Sequence, residues 1–522
     1  MKIVNTDQMR SIEQKCLEYG ISTDVLMENA GRATAEICKS ILLKKSQASK
    51  LSNILIISGS GNNGGDAIVA GRLLAEWGHK VTIYNCSKSG KIHEKASTLP
   101  DPNMIISSQS DPTLDLFASL VSQATLVVDG IIGTGINGEL SGTLKLILEI
   151  LKTRQENDNK LIVVSIDIPT GINADTGQIQ DSRITVDVTI ALGYPKPAHY
   201  TMPAAQHCGS ISIVDIGIPN IIAKDIASEL ITDELIISKI PSRPLNAHKG
   251  TFGKVLFAGG CQRYKGASYL ATRAASRIGA GLVTAAVPPS IQLGLVAKAP
   301  EITYLMIPET REGYIDSDAD KQIIRAIKDY NAVLIGCGLG ITDSTTTFID
   351  NLLLSNYQLP SLVVDADALT ILSKTTNWYK KFDQLAILTP HAGEMSRLIG
   401  LDINSKTHIP TETLIKFSNK WNKIIVMKGP FTRIVSPSGL VFINPTANPS
   451  LASAGTGDVL GGMIAGLLAQ GTNMIDAAVT GVYLHSLTGQ SLKNMMGDAG
   501  VVASDLLNEL PLTIARLKGL NV

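Results

Sequence analysis

Short apolar runs rich in β-branched residues recur along this chain, and each is followed by a glycine-rich or polar turn. In the first half they are NILIISGSG, HKVTIYN, ATLVVDGIIGTG and KLIVVSIDIPTG. The series begins again after residue 250 with KVLFAGG, GLVTAAVP, NAVLIGCG, SLVVDAD, LAILTPH and KIIVMKG. Such runs, alternating with helical patterns, predict parallel strands of an α/β sheet whose carboxyl ends carry ligands.

The segment ITDELIISKIPSRPLNAHKG separates the two series. It contains two prolines and several polar residues, which is typical of a crossing between domains. A chain of 522 residues is also too long for one compact core. We therefore predict two α/β domains, residues 1–225 and residues 230–522, with the boundary near residue 230.

Charge and cysteine content narrow the possible partners. Lys plus Arg and Asp plus Glu both number 46, so no net charge favours nucleic acid or an anionic membrane. The six cysteines lack CxxC spacing, which indicates a reducing compartment and argues against structural zinc. The N-terminus lacks an apolar signal-peptide core, and no run reaches the roughly 18 apolar residues of a membrane span. We expect a cytoplasmic protein.

Two turns in the first half, SGSGNNGGDA and GTGING, have the GxGxxG spacing of dinucleotide sites. The usual fingerprint also requires an acidic residue at the end of the next strand. Here VTIYNC ends in Asn85 and Cys86. The sequence therefore disfavours ordinary hydride-transfer binding of NAD.

Polar side chains nevertheless gather at three predicted strand ends of this half. Parallel strands would bring these ends to one edge, where carboxylate and amide oxygens suit a hard cation and a polar ligand. Taken singly, each residue is explained equally well as a turn former. The residues are Asn62, Asn63, Asp66, Asp129, Asp167 and Thr170.

These motifs resemble the YjeF N-terminal family, the NAD(P)HX epimerases. SNILIISGSGNNGGDAIVAGRLL, VVDGIIGTGINGELSG, VVSIDIPTGINADTG and LMENAGRATAE carry the resemblance across residues 1–220. It implies a Rossmann-like, three-layer αβα domain in which Asp167 is the acid/base group. Implied substrate contacts are Asn62, Asn63, Gly64, Gly65, Asp66, Gly133, Thr134, Gly135, Ile136, Asn137, Gly138, Glu139 and Asp167; the implied K⁺ ligands are Asn63, Asp129 and Thr170. Ala67 and Thr170 replace the family's usual Gly and frequent Ser without removing a needed oxygen.

Four pieces of the second half carry candidate chemistry. SAGTGDVLGG places a Gly-Thr-Gly turn and Asp458 at the start of an apolar helix, which suits an anion. There is no Walker A loop, so this turn must hold any phosphate. The helix N-terminus should also keep Asp458 ionised, as a ready but weak base. The other pieces are VVDADAL with Asp365 and Asp367, LTPHAGEMSRL with His391 and Glu394, and VMKGPFTRIV with Lys428.

These pieces resemble the ribokinase-like fold and, within it, the YjeF C-terminal family of ADP-dependent NAD(P)HX dehydratases. HKGTFGKVL, KGASYLA, GAGLVT, TPHAGEMSRL and NPSLASAGTGDVLGGMIAGLLAQG carry the resemblance over about residues 240–515. It implies an αβα domain using ADP and Mg²⁺, in which Asp458 takes a proton from the attacking hydroxyl and amides of 454–457 stabilise the phosphoryl group. Implied substrate contacts are Ala280, Gly338, His391 and Asp458; implied nucleotide contacts are Lys428, Gly429, Pro430, Phe431, Thr432 and Gly457.

Together the two resemblances imply a metabolite-repair enzyme. The first domain would interconvert R and S hydrated NADH or NADPH, and the second would dehydrate the S epimer at the expense of ADP. Family resemblance also implies a homo-oligomer with small-molecule substrates and no nucleic-acid or membrane partner. The residues alone leave ADP and ATP open.

Two other interpretations stay open from the residues. The C-terminal half could be a small-molecule kinase of the hydroxymethylpyrimidine type, since one scaffold serves many activities. The N-terminal half could be a non-catalytic binding module, for instance for RNA, although the even charge balance and the lack of a basic, aromatic-rich stretch count against this.

Overall fold

The computed structural model describes residues 1–45, 52–87, 91–135, 138–157, 160–355, 357–401 and 409–520. The chain divides into two compact units, Met1–Ile226 and Ala227–Val522. Both are built on largely parallel sheets, which confirms the predicted two-domain α/β class. Within the described ranges, no helix is both long and apolar enough to cross a bilayer. All six cysteines are buried and free.

In the described part of the first unit, seven parallel strands lie in the order β3-β2-β1-β4-β5-β6-β7. The strands are β1 (Asn53–Ser58), β2 (Lys80–Asn85), β3 (Ile105–Ser107), β4 (Leu126–Gly130), β5 (Ile162–Ile166), β6 (Val188–Leu192) and β7 (Ser210–Val214). The helices are α1 (Thr6–Cys16), α2 (Thr23–Lys45), α3 (Asn62–Glu76), α4 (Asp115–Gln123) and α5 (Thr143–Asn157).

The side chains of β1 explain the layering of this unit, because successive strand residues point to opposite faces of the sheet. Ile54 and Ile56 belong to the buried cluster that includes α1, α2 and α3. Leu55 and Ile57 belong to the cluster that includes α4 and α5. Both faces are covered, which gives the predicted three layers.

In the second unit, ten described strands form one sheet in the order β11-β10-β9-β12-β13-β14-β15-β16-β17-β8. Among these described strands, only the pairs β15–β16 and β16–β17 are antiparallel. The strands are β8 (Ser228–Leu230), β9 (Lys254–Ala258), β10 (Leu282–Val287), β11 (Thr303–Met306), β12 (Ala332–Ile335), β13 (Ser361–Val364), β14 (Ala386–Leu388), β15 (Lys423–Met427), β16 (Arg433–Val435) and β17 (Val441–Ile443).

The helices of the second unit cover a sheet whose central strand is buried on both faces. In β9, Val255 and Phe257 join the main hydrophobic cluster, and Leu256 and Ala258 on the other face are equally buried. The helices are α6 (Asp233–Ile237), α7 (Lys265–Arg277), α8 (Pro289–Lys298), α9 (Ala319–Ala326), α10 (Asp343–Leu353), α11 (Ala366–Leu372), α12 (Trp378–Lys381), α13 (Ala392–Ile399), α14 (Thr411–Trp421), α15 (Thr456–Ala469), α16 (Met474–Met496) and α17 (Ala503–Leu517).

Strand order places one ligand crevice in each unit. The order reverses between β1 and β4 in the first unit and between β9 and β12 in the second. In open α/β sheets, ligands bind outside the carboxyl ends of the strands at such a reversal, because the flanking loops diverge there. The polar motifs of the first half follow β1, β4 and β5, beside its reversal, and those of the second half follow β13, β14 and β15, on the β12 side of its reversal.

Glycines in α15 allow this helix to pack directly against α7. A Cβ on Gly462 would lie 2.1 Å from the carbonyl oxygen of Ala271, and one on Gly466 would lie 2.8 Å from that of Ala275. We expect Gly462→Ala to lower the free energy of unfolding by about 1–3 kcal/mol, because the added methyl group overpacks the contact between α15 and α7. Urea unfolding monitored by circular dichroism measures this.

The matched control for Gly462 is Gly294, an exposed glycine in α8. A Cβ placed there would meet no heavy atom of the described chain within 4 Å. Gly294→Ala should stabilise the chain by up to about 1 kcal/mol, because alanine is the better helix former. Equal effects of the two substitutions would contradict the packing explanation.

Candidate active sites

A cavity of about 630 Å³ lies at the carboxyl ends of β1, β4 and β5. At this point a Cβ on Gly59 would lie 2.0 Å from the carbonyl oxygen of Ile131, so only glycine allows the loops after β1 and β4 to approach so closely. The sequence-predicted residues that line the cavity are Asn62, Asn63, Asp66, Gly133, Thr134, Gly135 and Asp167.

Other predicted residues of these motifs are placed behind or beside the cavity. Gly64 and Gly65 are buried, and a Cβ on Gly64 would lie 2.0 Å from the carbonyl oxygen of Gly59. Both glycines therefore serve close packing of α3. Gly138 and Glu139 are not among the described lining residues, and Ile136 and Asn137 lie outside the described residues.

Asp129, at the end of β4, is fully buried and accepts four hydrogen bonds. The donors are the backbone N–H and the hydroxyl of Thr170 at 2.8 and 2.7 Å, the Ser165 hydroxyl at 3.0 Å and the Ile131 N–H at 3.2 Å. Burial raises the pKa of Asp129, and the hydrogen bonds oppose this effect. The carboxylate therefore ties the ends of β4 and β5 together.

Asn63, Asp129 and Thr170 carry oxygen atoms of the chemical type that a monovalent hard cation prefers. Asn63 lies next to this loop, since its Oδ1 would be 3.0 Å from a Cβ on Gly133. Its Nδ2 is buried and has no hydrogen-bond partner in the described part of the chain, so the amide is free to turn its oxygen towards a ligand. One carboxylate, one amide and the Thr170 hydroxyl form an oxygen-only set with a single charge.

Asp167, directly after β5, combines an unusual backbone with a buried ion pair. Its φ is +64°, in the left-handed region that few non-glycine residues adopt. The ammonium of Lys196 lies 2.5 Å from Oδ1, and the Leu192 N–H donates to the same oxygen at 3.3 Å. The ring of His199 donates from Nε2 to the Asp167 carbonyl at 2.8 Å. The carboxylate is thus held from several sides at the cavity wall.

Two further carboxyl groups face the same cavity. Asp66 is buried in α3, and burial followed by the charges of Asp167 and Glu13 holds its pKa well above the usual range. Glu13 reaches the cavity from α1, and burial raises its pKa as well. The cavity therefore contains two carboxyl groups whose pKa is raised by burial, beside a third, Asp167, that is paired with Lys196.

The second unit gathers charged groups at the carboxyl ends of β13, β14 and β15. The ammonium of Lys428 lies 2.7 Å from Oδ1 of Asp365 and 3.9 Å from Oε2 of Glu394. A Cβ on Gly457, in the first turn of α15, would lie 3.4 Å from the same ammonium. A cation beside free backbone N–H groups at a helix N-terminus forms a site for phosphate.

Asp458 lies in that same first turn. Burial, followed by the charge of Asp365, raises the pKa of Asp458 to about 6. This outweighs the roughly 0.3–1 kcal/mol by which a helix N-terminus favours an anion. Asp458 is therefore a stronger base than the sequence predicted, because that prediction considered only the helix and not the residues packed around it.

His391 and Glu394 cap α13 reciprocally. Nδ1 of His391 accepts from the Gly393 N–H at 3.0 Å, and Glu394 Oε2 accepts from the His391 N–H at 2.8 Å. Burial raises the pKa of Glu394 to about 7 and lowers that of His391. A parallel bridge between His391 and Lys428 brings this cap beside the phosphate-binding turn.

The remaining predicted nucleotide contacts form the turn after β15. Gly429 has φ +154° and Phe431 has φ +54°, and the Thr432 hydroxyl donates to the Gly429 carbonyl at 3.0 Å. Together with Pro430, these residues connect Lys428 to β16. The turn therefore lies at the edge of the sheet where Lys428 meets α15.

Comparison with known proteins agrees with the division of the chain into two units. Residues 23–198 match the family described as YjeF-related protein N-terminus, and residues 255–512 match NAD(P)H-hydrate dehydratase. A bifunctional NAD(P)H-hydrate repair enzyme of Moorella thermoacetica is 34% identical over 99% of this chain and 97% of its own length. One of Thermofilum pendens is 30% identical over the same shares of both chains.

The chain belongs to the bifunctional NAD(P)H-hydrate repair enzymes. A solved structure of an ADP/ATP-dependent NAD(P)H-hydrate dehydratase from Bacillus subtilis, co-crystallised with ATP and Mg²⁺, is 31% identical, with a TM-score of 0.46; it covers 55% of this chain and 97% of that chain.

Within this repair-enzyme family member, the structure places Ala280 apart from the other predicted dehydratase contacts. Gly338 follows β12 with φ +65°, at the same edge as His391 and Asp458. Ala280 instead precedes β10, at the amino end of the sheet. Glycine-rich turns before and after a strand look alike in sequence, and the turn that contains Ala280 comes before its strand. We do not retain Ala280 as a ligand contact.

Several residues of the repair enzyme's two sites were not selected from the sequence. In the first unit they are Glu13, Lys196 and His199; the only signal was a lysine between two prolines in ALGYPKPAHY. In the second unit the thiol of Cys337 contacts Asp458 and lies 3.9 Å from Oδ2 of Asp365. No spacing rule marks a single cysteine as part of such a cluster.

Proposed function

We propose that this protein repairs hydrated NADH and NADPH with two activities. The first unit interconverts the R and S epimers, and the second dehydrates the S epimer with ADP, releasing AMP and phosphate. The observation that carries the proposal is that one chain contains two different sites. In the first unit the Asp167 carboxylate lines a cavity. In the second unit Asp458 lies beside Lys428 at a helix N-terminus, and only this site suits phosphate.

In the dehydration, Asp458 takes the proton from the hydroxyl on ring carbon 6 as that oxygen attacks the terminal phosphoryl group of ADP. Lys428 and the N–H groups of the first turn of α15 stabilise the charge on the phosphoryl oxygens. The ring nitrogen lone pair then expels phosphate, and loss of a proton from the neighbouring ring carbon restores the reduced nicotinamide. Mg²⁺ bound to ADP would neutralise further phosphate charge.

For ligand binding, we assign Gly338, His391 and Asp458 to the hydrated nucleotide and residues 428–432 with Gly457 to ADP. The Lys428 ammonium acts as a point charge and can bind the phosphates of either ADP or ATP. The preference for ADP therefore rests on the family resemblance. A homo-oligomer is proposed on the same basis.

In the epimerisation, Asp167 acts as the acid/base group within the cavity of the first unit. We assign substrate contacts to Asn62, Asn63, Asp66, Gly133, Thr134 and Gly135, which line this cavity. Asn63, Asp129 and Thr170 would hold K⁺, and the ion would supply a fixed positive charge beside the bound nucleotide.

Incubating the protein with mixed R and S hydrated NADH, ADP and Mg²⁺ tests the proposal through the return of reduced-nicotinamide absorbance. We expect complete conversion, faster than spontaneous epimerisation permits. Conversion of only one epimer would remove the epimerase assignment. Accumulation of a stable phosphorylated product would favour a small-molecule kinase instead.

The pKa of Asp458 predicts how dehydration depends on pH. A base must be ionised to accept a proton, so kcat/KM should fall by about tenfold per pH unit as the pH decreases below about 6. Initial rates with purified S epimer and saturating ADP measure this.

Glu394 provides the control for this profile, because its pKa of about 7 lies in the same range. In Glu394→Gln the fall near pH 6 should persist. Loss of that fall in Glu394→Gln, or a flat profile in the unmodified protein, would contradict the assignment to Asp458.

A further inference from the structure

Lys196 is a fully buried lysine whose ammonium group is completely occupied. It donates to Oδ1 of Asp167 and to the backbone carbonyls of Leu192 at 3.2 Å and Tyr194 at 3.0 Å. An ammonium has three donors, and all three are used here. All three donors of Lys196 are therefore engaged within the protein, although the residue lines the cavity.

His199 joins the backbones of Lys196 and Asp167. Its Nδ1 accepts from the Lys196 N–H at 3.1 Å, and its Nε2 donates to the Asp167 carbonyl at 2.8 Å. Burial lowers the pKa of His199 to about 4, so the ring is neutral and can accept and donate at once. This link fixes Asp167 in its left-handed conformation.

The two oxygens of Asp167 have different surroundings. Oδ1 accepts from Lys196 and from the Leu192 N–H. Oδ2 receives no hydrogen bond from any residue that the structure describes, while Asp167 lines the cavity. Oδ2 is thus the oxygen available to a substrate hydroxyl.

We infer that Lys196 is a positioning residue for epimerisation: it holds Oδ1 of Asp167 so that Oδ2 takes the proton from the hydroxyl on ring carbon 6. This inference rests on the epimerase function proposed above. As the proton moves to Oδ2, a C=O bond forms at ring carbon 6 and its bond to the ring nitrogen breaks. The electron pair stays on nitrogen, where conjugation with the carboxamide stabilises it.

Closure of the ring reverses these steps on the opposite face of the carbonyl group. The ring nitrogen attacks the carbonyl carbon after rotation of the opened chain, and Asp167 returns the proton to oxygen. No oxidant, reductant or co-reactant is consumed.

A double-mutant cycle on the full chain, without ADP so that dehydration cannot occur, tests the inference. Chromatography follows conversion of purified S-hydrated NADH into the R epimer. Lys196→Met should lower kcat by about 10²-fold, because a misplaced base loses about that factor. KM should change by less than about threefold, since all three donors of the ammonium are engaged within the protein.

The double variant gives the decisive comparison. If Lys196 acts through Asp167, adding Lys196→Met to Asp167→Asn should cause no further loss of kcat, because effects of residues acting as a unit are not additive. The inference would be overturned if Lys196→Met lowered kcat in the Asp167→Asn background by as large a factor as it does in the unmodified protein. So would a Lys196→Met variant whose KM changes while kcat does not.

Folding and function have separate controls. Lys196→Met alone leaves the buried Asp167 carboxylate without its partner, whereas the double variant has no carboxylate at this position. The comparison of the double variant with Asp167→Asn therefore decides the question even if Lys196→Met does not fold. Lys152→Met, which removes an exposed lysine of α5, should behave as the unmodified protein. Absence of epimer exchange in the unmodified protein would instead refute the proposed epimerase function.

Discussion

Replacing Asp458 by asparagine is expected to lower kcat for dehydration of the S epimer by about 10²–10⁴-fold at saturating ADP. Asparagine has the same size and preserves the packing beside Cys337, but it cannot accept the hydroxyl proton. Lys428 and the first turn of α15 remain to bind phosphate, so KM for ADP should change little. Initial rates with purified S-hydrated NADH measure both constants.

The size of this loss tests how much proton removal matters. A loose phosphoryl-transfer transition state leaves the hydroxyl proton largely in place until late, so geometry contributes more than basicity. The pKa of about 6 makes Asp458 a stronger base than an ordinary aspartate, and it is still ionised at neutral pH. A loss below about tenfold would show that Asp458 only orients the hydroxyl.

A matched control separates this chemistry from helix electrostatics. Asp343 is an exposed aspartate in the first turn of α10, in the same unit. Asp343→Asn should cost about 0.3–1 kcal/mol of stability through the helix dipole and leave dehydration unchanged. Epimer exchange without ADP should be normal in both variants, and a loss of exchange in Asp458→Asn would contradict the two-site assignment.

The sequence predicted the fold well because strand periodicity and glycine-rich turns are local signals. An apolar run followed by glycine marks the carboxyl end of a parallel strand whatever its partner. This is how Asp129, Asp167 and Asp365 were placed at ligand-facing edges before the strand order was known. Ala280 shows the limit, since a turn before a strand carries the same glycines as one after it.

The electrostatics of the sites could not be predicted from the sequence, because they depend on residues far apart in the chain. The pKa of Asp458 is raised by burial and by Asp365, which approaches from a different strand. The pairing of Asp167 with Lys196 likewise requires the turn after β6 to lie beside the end of β5. Neither contact has a periodicity or a motif that reveals it.

Asparagine at position 167 is expected to lower the rate of epimer exchange by about 10²–10⁴-fold, because its amide cannot accept the substrate proton. Asparagine is preferred to alanine here because the φ of Asp167 is +64°, a conformation that asparagine tolerates and alanine does not. The effect on folding should therefore be smaller than with Asp167→Ala. Chromatography of the epimers without ADP measures the rate.

With ADP and an equal mixture of epimers, the same variant should show two phases. The S half should dehydrate at the normal rate, since the second unit is intact, and the R half should follow only at the spontaneous rate of epimerisation. Unmodified protein should show a single phase, because exchange keeps the S epimer supplied. A single phase with Asp167→Asn would mean that another group, such as Asp66, performs the proton transfer; slowing of both phases would mean that the two units do not act independently.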